Sequence, residues 1–75
     1  SHPDWAIRQC KGQAEPIMDG GKSKYYHHAV RWLDKARRAY LAADREDEWR
    51  DYLEGLISTH ASKYSLRPQL EALRE

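Results

Sequence analysis

Between Lys24 and Ala43 the apolar residues recur with helical period on two adjacent faces, and this limits the fold more than any other feature of the chain. One face carries Tyr26, Ala29, Val30, Leu33, Ala36 and Tyr40; the other carries Tyr25, Trp32, Ala39 and Ala43. One neighbour cannot cover so wide an arc, so the stretch predicts a central helix sandwiched between two others. Ala29, Ala36 and Ala39 allow close approach of the neighbouring backbones, and Ser23 stands where an N-cap belongs.

The flanking segments supply the two neighbours. From Glu46 to Tyr64, the residues Trp49, Tyr52, Leu53, Leu56, Ile57, His60 and Tyr64 form a single helical stripe. The start of this stripe is loaded with Glu46, Asp47 and Glu48, which favour a helix N-terminus, and Asp44 or Asp47 is the expected cap. Before the central helix, Pro3 to Asp19 places Ile7, Cys10, Ala14 and Ile17 on one face. Pro16 predicts a bend there, eased because the carbonyl it crowds belongs to Gly12. Gly20 and Gly21 suit a left-handed helix end. A short fourth helix opens near Pro68, with Leu66, Leu70 and Leu73 on one side. Strand-like alternation is nowhere sustained. The expected fold is therefore all-α: three main antiparallel helices plus a short C-terminal helix, in one domain over residues 1–75. The central and third helices should meet at about Ala43 to Arg45 and bury Trp32, Leu33, Trp49, Leu53 and Leu56, whereas Trp5 should be partly exposed.

Composition narrows the class. Hydrophobic residues make up 40% of the chain, with three Trp and five Tyr, too much apolar content for a disordered tail. At 75 residues such a core leaves about 3–5 kcal/mol of net stability. The net charge of +1 excludes a globally basic nucleic-acid binder but not a local basic patch. There is no apolar run of membrane-spanning length and no charged-then-apolar leader, which leads to the expectation of a cytoplasmic protein without membrane contact. Cys10 is the single cysteine, so it forms no internal disulfide. The Ser-His-Pro start and the small size suggest a piece of a longer protein, with no functional weight on Ser1 and His2.

Residues capable of chemistry do not converge in the sequence. His2, His27, His28, His60 and Cys10 lack the spacing of a zinc site, and adjacent His27 and His28 should point about 100° apart on a helix. Cys10 on an inward face reads as a small hydrophobe rather than a nucleophile. His60 reads either as a ligand or general base, or as a core-edge histidine satisfied by a Tyr hydroxyl or a backbone carbonyl. The carboxylates of Asp44, Glu46, Asp47, Glu48, Asp51 and Glu54 do not follow calcium-loop spacing and read as a solvated helix start. Neither an enzyme nor a cofactor is expected.

One surface pattern stands out. Lys24, His28, Arg31, Lys35 and Arg38 recur at spacings of four and three on the outward side of the central helix, with Arg37 beside them. The segment 20–43 carries +5 from six Lys and Arg against Asp34, whereas 44–54 carries −4 from six Asp and Glu against two Arg. The stripe reads either as a phosphate-contacting surface or as a solvated helix face, and no Asn or Gln interleaves with it to read bases. Four phosphate contacts by Lys24, Arg31, Lys35 and Arg38 would give a log–log salt slope of about −3.6 on duplex DNA. The expected affinity for a random duplex is no tighter than ~100 μM.

Two resemblances add to this reading. Tyr26, Ala29, Leu33 and Ala36 have the spacing of the second helix of a tetratricopeptide repeat, over about half a repeat. More of the chain resembles the C-terminal helical region of bacterial SWIM zinc-finger proteins. The strings concerned are Gln-Ala-Glu-Pro-Ile-Met-Asp at 13–19, Lys-Ser-Lys-Tyr-Tyr at 22–26, Ala-Val-Arg-Trp-Leu at 29–33 and Lys-Ala-Arg-Arg-Ala-Tyr-Leu at 35–41. Glu-Trp-Arg-Asp-Tyr-Leu at 48–53, Leu-Ile-Ser-Thr-His at 56–60 and Lys-Tyr-Ser-Leu at 63–66 belong with them. The zinc-binding Cys-x-Cys and Cys-x-His motifs of that family are absent, so its zinc site is not carried onto any residue here. The resemblance implies a helical accessory region that serves as a scaffold for protein contacts. The reading is thus a non-enzymatic protein-interaction module with an unidentified protein partner. The alternative is a nucleic-acid-binding accessory domain using the basic helix face, with DNA or RNA reached through the parent protein.

Overall fold

The computed structural model describes residues 3–74. The expectations that concern Ser1 and His2 lie outside them. Four α-helices follow one another: α1 (Pro3–Asp19), α2 (Tyr26–Ala42), α3 (Glu46–Thr59) and α4 (Arg67–Glu71). A 3-10 turn, Ser23–Tyr25, leads into α2 and another, Ala72–Arg74, follows α4. The described residues contain no strand, and the fold is all-α as the periodicity requires.

Helix α2 runs antiparallel to α1 and α3. The start of α1 meets the α2–α3 junction through an ion pair between Asp4 and Arg45. At the other end, the Lys63 ammonium, just beyond α3, donates to the Met18 carbonyl at 2.7 Å and satisfies one of the open carbonyls of α1. Midway, the Tyr52 hydroxyl of α3 donates to Glu15 of α1 at 2.6 Å. One core joins all four helices, and Met18, Leu33, Leu53, Leu66 and Leu70 are its largest fully buried side chains. Each is worth roughly 1.5–3 kcal/mol in transfer from water, large against the net stability of so small a chain.

Several local expectations need correction. In α1 the buried set is Ile7, Cys10, Ala14 and Met18; Ile17 is only half-buried. The face continues with a step of four rather than three, so the flexible Met18 fills the space next to the loop. The helix does continue past Pro16 to Asp19, the extent expected for this segment. Gly21 ends it at φ +70°, with its N–H bonded to the Met18 carbonyl at 3.2 Å, the left-handed closure anticipated for this glycine pair.

Ser23 does not cap α2. It lies inside the 3-10 turn, and Tyr25 occupies the cap position without a side-chain hydrogen bond. Neither Asp44 nor Asp47 caps α3. Asp44 adopts φ 60°; its N–H bonds to the Leu41 carbonyl at 3.1 Å, and the Arg45 N–H reaches the Tyr40 carbonyl at 2.8 Å. This pair of bonds is a Schellman closure of α2, with aspartate in the place glycine usually takes. Arg45 holds the cap position of α3, and Asp47 lies within its first turn.

The α3 stripe also stops early. The helix ends at Thr59, and Tyr64 is 88% exposed. The chain turns through residues 60–66 because Leu66 and Leu70, both fully buried, must return to the core. Trp49 is buried and Trp5 exposed, but Trp32 is only half-buried. The second apolar face of α2 is therefore incompletely covered: Tyr25 is 43% exposed, and Trp32, Ala39 and Ala43 are half-buried.

Candidate interaction surface on the second helix

Helical geometry brings the basic residues to one side. His28, Arg31, Lys35 and Arg38 lie on α2, Lys24 lies in the preceding 3-10 turn, and all five are exposed. Their environments differ. Asp34 sits one helical turn before Arg38 and forms an ion pair with it at 3.1 Å, while also accepting from Arg37 at 3.1 Å. Asp34 thus offsets one of these two guanidinium charges, and Arg38 remains exposed. Lys24, Arg31 and Lys35 have no carboxylate partner among the described residues. From Arg37 onward every arginine is ion-paired, so Arg31 differs from those that follow it.

The aromatic residues complete this surface. The Lys24 ammonium lies 5.1 Å from the centre of the Tyr25 ring, and that of Lys35 lies 4.6 Å from the centre of Trp32. Tyr25 stacks on His28 at 6.4 Å between centroids. His28, Arg31, Trp32 and Lys35 line a shallow depression of about 190 Å³. Tyr25, His28, Trp32 and Lys35 are spaced three, four and three, so the basic stripe and the second apolar face share an edge. Reading the two as separate patterns misses their overlap. The shared spacing was the signal, but the degree of exposure of Tyr25 and Trp32 was not legible without the fold.

Of the remaining candidates, His2 lies outside the described residues. The rings of His27 and His28, expected to diverge, approach to 4.0 Å between centroids with a tilt of 38°. Among the described residues no three His, Cys, Asp or Glu side chains are grouped to hold a metal ion. Cys10 is buried, and burial pushes its thiol pKa up, which disfavours the nucleophilic thiolate. The acidic start of α3 is partly compensated: Glu48 accepts from Arg45 at 2.7 and 2.8 Å, and Glu46 from Arg50 at 2.8 Å.

His60 departs from the expected satisfied histidine. It is 4% exposed, and its Nδ1 has neither a Tyr hydroxyl nor a carbonyl as hydrogen-bond partner. Burial lowers its pKa, Lys63 lowers it further, and Asp19 opposes both. The ring is held neutral at the end where α1, α3 and the following turn meet. Lys63 and Asp19 are the charged groups whose fields reach it there.

No family model, no curated protein and no solved structure matches the chain. Among the described residues, no helix is long and apolar enough to cross a membrane.

Proposed function

We propose that this chain is a non-enzymatic helical interaction module that docks an anionic partner on the outer face of α2. In this proposal it acts in the cytoplasm, as a helical accessory region like that of bacterial SWIM zinc-finger proteins. What supports the reading is the placement of Lys24, Arg31 and Lys35. All three are exposed and have no carboxylate partner among the described residues, beside the incompletely covered rings of Tyr25 and Trp32. Unsatisfied like charges on one helix face raise the local potential and favour association with a negatively charged surface.

Retention on an immobilised polyanion tests this. Reversing Arg31 and Lys35 together to Glu should lower the salt needed for elution. Arg8→Glu, which alters an exposed cation on α1, should lower it much less. Equal loss in both variants would mean that only net charge matters and would overturn the assignment to α2.

A further inference from the structure

We infer that the outer face of α2 takes single-stranded nucleic acid, its bases stacking on Tyr25 and Trp32 and its phosphates meeting Lys24, Arg31 and Lys35, an assignment that presupposes this face as the docking surface. Alternating cations and ring faces is the arrangement that single strands use, because unpaired bases offer a flat π-surface and the backbone offers charge at short intervals. Here each component is adjacent to the other. Lys24 lies over Tyr25 and Lys35 over Trp32, so a base stacking on either face displaces the flexible ammonium there, which is then free to meet the adjoining phosphate. The depression lined by His28, Arg31, Trp32 and Lys35 contains the second pair, and Arg31 lies on its rim toward the first. From Lys24 to Lys35 the surface extends about 16 Å along the helix axis.

Two alternatives fit less well. A duplex hides the faces of its bases and would leave both rings idle, and no Asn or Gln is present on this helix face to read a groove. An acidic peptide would engage the ammonium and guanidinium groups but gain nothing specific from the rings. The acidic segment beyond α2 is partly offset by its own arginines. Glu46 and Glu48 are tied to Arg50 and Arg45. Asp44 lies nine residues past Lys35, about 13 Å along the axis and beyond the ~8–10 Å screening length of physiological salt.

Fluorescence anisotropy with dye-labelled probes tests the inference. The probes are a ten-nucleotide thymidine oligomer, a random duplex of the same length and a glutamate decapeptide. Three phosphate contacts at about −0.7 each give a log–log salt slope near −2.1 on a single strand, so the affinity should fall about 18-fold for a fourfold rise in salt. Tyr25→Ala should weaken single-strand binding by about 5- to 150-fold, and Tyr25→Phe should restore it. Tyr25 is 43% exposed, and unchanged circular dichroism would confirm that the Ala variant remains folded. The duplex should bind more weakly than ~100 μM, the weak end of non-specific affinity. Single-strand binding that ignores Tyr25→Ala, or a duplex that binds equally well, would overturn the stacking assignment. Tighter binding of the glutamate peptide, unchanged by Tyr25→Ala but lost in Arg31→Glu, would overturn nucleic acid as the ligand and leave the docking surface standing. Failure of all three probes would remove the docking surface as well.

Discussion

Replacing His60 by Leu should abolish an acid-labile part of the stability of this domain. The buried ring has a lowered pKa and an unpartnered Nδ1, so the folded state resists taking up a proton that the unfolded chain accepts readily near pH 6.5. The sign follows from the depressed pKa. Above the unfolded value the histidine is neutral in both states and costs nothing. As the pH falls below it, the unfolded chain binds more protons and stability declines, until the folded pKa is passed. The limiting slope is about 1.36 kcal/mol per pH unit, so from about pH 6.5 to 5.0 the loss is at most about 2 kcal/mol. That is a large share of the ~3–5 kcal/mol available to a domain of this size. Glu48 and Glu54 also have shifted pKa values, but Arg45 and Arg74 hold them low, so they titrate below this window. Urea denaturation followed by circular dichroism, at several values between about pH 7.5 and 5.0, measures the difference between wild type and His60→Leu. The variant should match or exceed wild type at the upper end, since it removes an unsatisfied buried nitrogen, and gain on it as the pH falls. Parallel stability profiles across the range would refute the reasoning.

Leu53 is fully buried, and Leu53→Ala should cost about 2–5 kcal/mol through lost burial and the cavity left behind; an unchanged thermal melt would contradict the core assignment. Gly21 has open space around its Cβ direction but sits at φ +70°, so Gly21→Ala should cost about 1–2 kcal/mol from backbone strain alone, measured by urea denaturation. Cys10 should react slowly with a thiol reagent in the native protein and rapidly in denaturant, and rapid native labelling would contradict its burial. Chelator and reducing agent should leave the melt unchanged, whereas collapse on chelation would reveal a metal site.

The three long helices were legible because each needs only a local pattern. Tyr26, Ala29, Leu33 and Ala36 recur at helical spacing, and all four are buried. The same holds for Trp49, Leu53 and Leu56 on α3. Helix ends were less legible, since a residue type that can cap can also turn. Asp44 is a good N-cap candidate by composition, yet in the folded chain it closes α2 in a left-handed conformation. Tyr64 continues the α3 period but lies outside the helix, because the burial of Leu66 and Leu70 outweighs further helix propagation.

The candidate surface divides along the same line. Its cations were visible by number: Lys24, His28, Arg31, Lys35 and Arg38 had to share a face of any helix formed there. Which of them remain unpaired depended on side-chain geometry: Asp34 engages Arg38 and not Arg31 or Lys35. Periodicity alone determined that this chain is helical and which side of α2 is charged, because both depend only on residues within a few turns of one another. Tertiary packing decided that α1 and α3 leave Tyr25 and part of Trp32 uncovered, since exposure depends on where distant segments come to rest.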